Sequence, residues 1–83
     1  MFTFNDADVA VSTARAVFAS NGERSAAEEL RGLEVYSRGD AVLALSILRG
    51  LTLVDEDSRV ACAAAQDVLR SALAPRPVPS AAA

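Results

Sequence analysis

Few side chains in this 83-residue sequence have the types or the spacing that chemistry needs. There is no histidine, so the commonest general base is absent. The one cysteine, Cys62, lies in an alanine-rich stretch with Arg59 as its only neighbouring cation. A reactive thiol needs thiolate stabilisation and exposure, so Cys62 is expected to be a small packed residue. Asp55, Glu56 and Asp57 form the densest acidic run. A hard-cation loop places its ligands at alternating positions and adds a distant bidentate carboxylate. Three consecutive acids fit a helix N-terminus better, where they cap the backbone and complement the dipole. The expectation is a non-enzyme with no catalytic residue, no cofactor and no metal site.

The element around which the chain is organised is the stretch from Gly39 to Asp57. Between Val42 and Val54 only Ser46, Arg49, Gly50 and Thr52 interrupt the apolar residues. A buried strand pair competes with a helix here, since short apolar runs are ambiguous. The run is long for one strand and has no hairpin dipeptide, so it reads as a central helix covered on several sides. It is too short, and too interrupted by Arg49, to span a bilayer, which needs about 20 apolar residues.

Composition sets further bounds. A chain this short forms one domain that buries about 60–65% of its unfolded surface. With 52% hydrophobic residues, 5% aromatics and no Trp, the core must be aliphatic and alanine-rich, which favours close helix packing. The net charge is −3, and all eight basic residues are Arg. An acidic chain without a basic cluster is a poor nucleic-acid binder. A helix-turn-helix reading fails for the same reason, because its reading helix would be almost wholly apolar. One cysteine and no visible secretory signal imply a cytoplasmic protein.

Taken in order, the chain predicts an all-α fold: a small four-helix antiparallel bundle or helical-hairpin array over residues 1–74. The first helix, about 6–20, is capped by Asn5 or Asp6 and stopped by Asn21-Gly22. The second, about 26–38, opens on Ser25-Ala26-Ala27-Glu28 as a capping box and ends at Gly39. The third runs from about 41 to 54, capped by Asp40, with Gly50 marking a close helix crossing. The fourth, about 58–73, follows the acidic turn. Residues 75–83, with Pro75, Pro77 and Pro79, are expected to form a disordered tail.

Residues 25–58 resemble one tetratricopeptide repeat, a 34-residue helix–turn–helix unit. Gly32, Gly39-Asp40 and Ala44 stand at its small positions, and Val54-Asp55-Glu56 is similar to its end. Glu28, Arg31, Leu51 and Glu56 depart from the family's Trp, Leu, small residue and Pro. Small acidic cytoplasmic chaperones of bacterial type III secretion have a similar look. Asp57-Ser58 is also similar to the cofactor-bearing pair of acyl carrier proteins, but Arg59 replaces the expected Leu and only one helix follows, so that reading is set aside. The tetratricopeptide resemblance implies a protein partner, since such units need neighbours.

The function expected is therefore a protein–protein interaction module, a chaperone or adaptor that binds an amphipathic helix. Its binding face is drawn through Leu43, Ile47, Leu51, Ala61, Ala65 and Leu69. The alternative is a small homodimeric regulator, antitoxin-like or transcription-associated. No membrane or nucleic-acid partner is expected.

Overall fold

The computed structural model describes residues 2–74, and these are all-α, forming four helices and no strand. The expected tail, 75–83, lies outside the described residues. The first helix, α1, runs Phe4–Ser20 and the last, α4, Glu56–Leu73. Between them lie the six-residue α2, Arg24–Glu29, and α3, Arg38–Gly50.

Helices α1 and α4 share one burial pattern. Ala7, Val11, Ala14 and Phe18 are buried on α1, and Ser58, Cys62, Ala65 and Leu69 on α4. Both sets recur at i, i+4, i+7 and i+11, which places one narrow stripe on each helix. The two stripes form the most extensive interface of the fold. The Phe2 N–H donates to Ser71 Oγ at 3.5 Å, so the start of α1 meets the end of α4 and the pair is antiparallel. Helix α3 also packs antiparallel to α4. Arg38 Nη1 donates to the Leu73 carbonyl at 3.1 Å at one end, and Cys62 Sγ to the Leu48 carbonyl at 3.4 Å at the other. Arg38 thereby satisfies a carbonyl at the negative end of α4.

Helix α4 thus packs between α1 and α3, and α1 touches all three other helices. The expectation of a central helix over the apolar run is corrected. Only Ala41, Ala44 and Leu48 of α3 are buried, while Val42 and Leu43 are each 52% exposed. Cys62 and Ala65 on α4 present little bulk, which lets two neighbours approach its axis closely. The branched side chains of α3 do not permit this on every side.

Helix boundaries shift for local reasons. Thr3, not Asn5 or Asp6, caps α1. Its Oγ1 accepts from the Asp6 N–H at 3.2 Å, and Asp6 Oδ2 accepts from the Thr3 N–H at 2.9 Å. At the other end Gly22 has φ +79° and the Glu23 N–H donates to the Phe18 carbonyl at 2.8 Å. This is the glycine stop that the sequence predicts, closed as a Schellman motif.

The second helix is far shorter than the expected 26–38, and the hairpin drawn over 26–38 and 41–54 does not form as drawn. No side chain caps its start at Glu23, so the Ser25–Glu28 capping box is absent. It ends at Glu29, and Gly32 takes φ +73°. From Leu33 to Tyr36 the chain is neither helix nor strand, with Leu33 and Val35 more buried than Glu34 and Tyr36. Asp8 Oδ1 anchors this link by accepting from the Val35 N–H at 2.9 Å. Ser37, rather than Asp40, then caps α3, its Oγ accepting from the Asp40 N–H at 3.2 Å.

Helix α3 stops at Gly50 instead of reaching residue 54. Leu51 to Val54 is again neither helix nor strand, with Leu51 and Leu53 half-buried and Thr52 and Val54 exposed. Glu23 Oε2 accepts from the Val54 N–H at 3.1 Å. Asp55 caps α4 by accepting from the Ser58 N–H at 3.0 Å, and Glu56 and Asp57 occupy the first turn. The acidic run does the capping and dipole work expected of it. No described helix is long and apolar enough to cross a membrane.

Candidate interaction surface

The six side chains of the expected binding face do not come together. Ala65 and Leu69 are buried between the helices, at 1% and 0% exposure, and Ala61 is half-buried. They belong to the core because their stripe on α4 faces its packed neighbours, and that part of the face is corrected. Leu43 is exposed on the outer side of α3, while half-buried Ile47 and Leu51 line a cleft between α2 and the end of α3. Nothing lies within 4 Å of the space above Gly50. The helix crossing expected there does not occur among the described residues. Val42, Leu43, Ser46 and Gly50 instead form an uncovered outer surface on α3.

A second cleft, of about 420 Å³, runs between the end of α3 and the start of α4. Leu51, Leu53 and Ala63 give it apolar walls, and Cys62 and Gln66 lie along its base. Cys62 is buried, and Gln66 Nε2 donates to its sulfur at 3.3 Å. This is the packed cysteine expected from the sequence. Two arginines complete the lining, Arg49 and Arg59, and no carboxylate does. Arg59 Nη2 donates to the Val54 carbonyl at 2.8 Å. Neither guanidinium has a carboxylate at ion-pairing distance; the ion pairs among the described residues are Arg31–Glu28 and Arg70–Asp67. Arg49 also borders the outer surface beside Val42, Leu45 and Gly50, joining it to the cleft.

A signal for this site was present in the sequence as an internal repeat. Arg31-Gly32-Leu33 and Arg49-Gly50-Leu51 stand 18 positions apart. At the same shift Ala26 aligns with Ala44, Leu30 with Leu48, Val35 with Leu53, and the capping Ser37 with the capping Asp55. Burial follows the alignment: Ala26, Ala44, Leu30 and Leu48 are all buried, and burial alternates along both links. Three acids of the first copy are absent from the second, which gains one at Asp55. Glu28, Glu29 and Glu34 of the first copy are replaced by Ser46, Ile47 and Thr52. Among the described residues no group of three or more His, Cys, Asp or Glu is placed to hold a metal ion.

No protein-family model, no curated protein and no solved structure matches the chain.

Proposed function

We propose that the chain is a non-enzymatic protein–protein interaction module, of the chaperone or adaptor kind, that binds an amphipathic helix of a partner. The observation that carries this is the uncovered outer side of α3, where Val42 and Leu43 are half exposed above an open Gly50. An apolar surface left open on a small domain marks a place of association. A helix laid across it would bury those side chains and use the small Ser46 and Gly50 for close approach. The tetratricopeptide resemblance contributes the expectation of a partner; the kinship itself is a proposal.

The test is titration of the isotope-labelled chain with a synthetic amphipathic helix that carries a leucine face and a glutamine face. Amide shifts concentrated on residues 42–54 are the expected outcome. Shifts absent, or spread evenly over the bundle, would remove the proposal. The second reading, a homodimeric regulator, draws on the same small Ser46 and open Gly50, which admit a second α3 equally well. Sedimentation mass of the chain alone decides between them.

A further inference from the structure

We infer that the partner segment is acidic: an amphipathic helix whose carboxylates pair with Arg49 and Arg59 while its apolar face covers the outer side of α3 and the cleft beside Leu53. This rests on the reading of the chain as an interaction module and names the chemistry of the partner.

Charge complementarity carries the inference. The chain is acidic, with 11 Asp and Glu against 8 basic residues, yet the cleft between α3 and α4 is lined by two arginines and no carboxylate. The internal repeat shows the same Arg-Gly-Leu motif with its cation neutralised, in a turn after α2 where the second copy is still helical. In the first copy Glu28 lies one helical turn before Arg31, 3.7 Å from its guanidinium. In the second, Ser46 lies one turn before Arg49, and Arg49 has no hydrogen bond or ion pair among the described residues. Thr52 and Ile47 replace the other two acids, so uncharged residues stand there: Thr52 in this cleft and Ile47 in the one beside α2. Arg59 joins Arg49 from the facing helix, and its bond to the Val54 carbonyl leaves other guanidinium donors free. Two guanidinium forks at the edge of an apolar cleft suit carboxylates carried on an apolar helix.

The experiment uses three labelled synthetic helices with identical leucine faces and polar faces of glutamate, glutamine or lysine. Their binding to the full chain is followed by fluorescence anisotropy at low and high salt. The glutamate helix is expected to bind roughly tenfold more tightly than the glutamine helix, with the advantage lost at high salt. The double variant Arg49→Gln/Arg59→Gln should weaken the glutamate helix about tenfold and leave the glutamine helix unchanged. Both arginines are exposed, so the variant should keep its helicity and melting temperature.

Equal binding of all three helices, or a glutamate helix indifferent to the double variant, would overturn the inference and leave the module reading intact. If none of the three binds, both fall. Self-association of the chain that Arg49→Gln abolishes would make a second copy the occupant, and capture of a single-stranded oligonucleotide through the same arginines would make it a nucleic acid; either overturns the acidic-helix assignment.

Discussion

The two copies of the Arg-Gly-Leu motif begin alike and end in different structures. Each follows a buried leucine, Leu30 or Leu48, and each leads through a short link to the N-cap of the next helix. In both links alternate residues are the more buried, Leu33 and Val35 in one, Leu51 and Leu53 in the other. A period of two departs from the helical one, so the motif encodes helix, link and cap together. The copies diverge at the glycine. Gly32 adopts φ +73° after a six-residue helix, whereas Gly50 is the last residue of a thirteen-residue helix and has no positive φ. Local sequence therefore fixes that a helix ends nearby. The anchor of the following link, Asp8 for Val35 and Glu23 for Val54, fixes where the chain goes next.

The strongest test of the equivalence is at the buried leucines. Leu30→Ala and Leu48→Ala each remove a side chain that is 1% exposed, and each should cost about 2–5 kcal/mol, a large share of the stability of so small a domain. Leu48→Asp should abolish cooperative thermal melting altogether. Retention of the melting transition in Leu48→Asp would show that α3 is dispensable to the core and that only the first copy is structural.

The glycines should then separate the copies by sign. Gly32→Ala forces a Cβ into the left-handed region and should destabilise by about 1 kcal/mol. Gly50→Ala meets open space in a helical position and should be neutral or stabilise by up to about 0.5 kcal/mol. Chemical denaturation of both variants checks this, and the same sign for both would erase the divergence described above.

Much of the fold was legible in the sequence because it is local. The helical spacing of Val11, Ala14 and Phe18, the stop at Gly22 and the acids at the start of α4 all act within a few residues. The second helix was misread because Leu30, Leu33 and Tyr36 fit a helical period as well as Leu33 and Val35 fit an extended one. The sign of φ at Gly32 is not written in its neighbours. The apolar run does not make α3 central because hydrophobicity alone does not order helices: α3 buries only Ala41, Ala44 and Leu48, while Val42 and Leu43 stay half exposed. The cleft was hidden for a different reason. Arg49 and Arg59 lie on different helices, and only the packing of α3 on α4 makes them neighbours; the loss of acids between the copies was the part that sequence self-comparison could have found.

The residues one turn into the following helices give a smaller contrast. Asp40 Oδ2 accepts from the Tyr36 N–H at 3.1 Å, whereas the equivalent Ser58 Oγ is buried with no hydrogen-bond partner among the described residues. A buried hydroxyl without a partner carries its desolvation cost uncompensated. Asp40→Ala should therefore cost about 1 kcal/mol, while Ser58→Ala should be neutral or stabilise by up to about 1 kcal/mol. A clear loss of stability in Ser58→Ala would mean that its oxygen is satisfied by a bound water.

The smallest stability effect belongs to the difference that matters most for binding. Ser46→Glu gives the second copy the acid that Glu28 supplies in the first, one turn before the arginine. Both members of the Arg31–Glu28 pair are more than two-thirds exposed, and such a pair is worth only about 0.3 kcal/mol in an isolated helix. Ser46 is exposed as well, so the melting temperature of Ser46→Glu should hardly move. Its carboxylate would nevertheless compete for Arg49 and place negative charge where an acidic partner helix must lie. Both helices lose the close approach at position 46, and affinity for the glutamate helix should fall several-fold further than affinity for the glutamine helix. If binding is as insensitive as stability, the missing acid at position 46 is an accident of the repeat; if binding alone responds, the second copy has exchanged an internal ion pair for an external one.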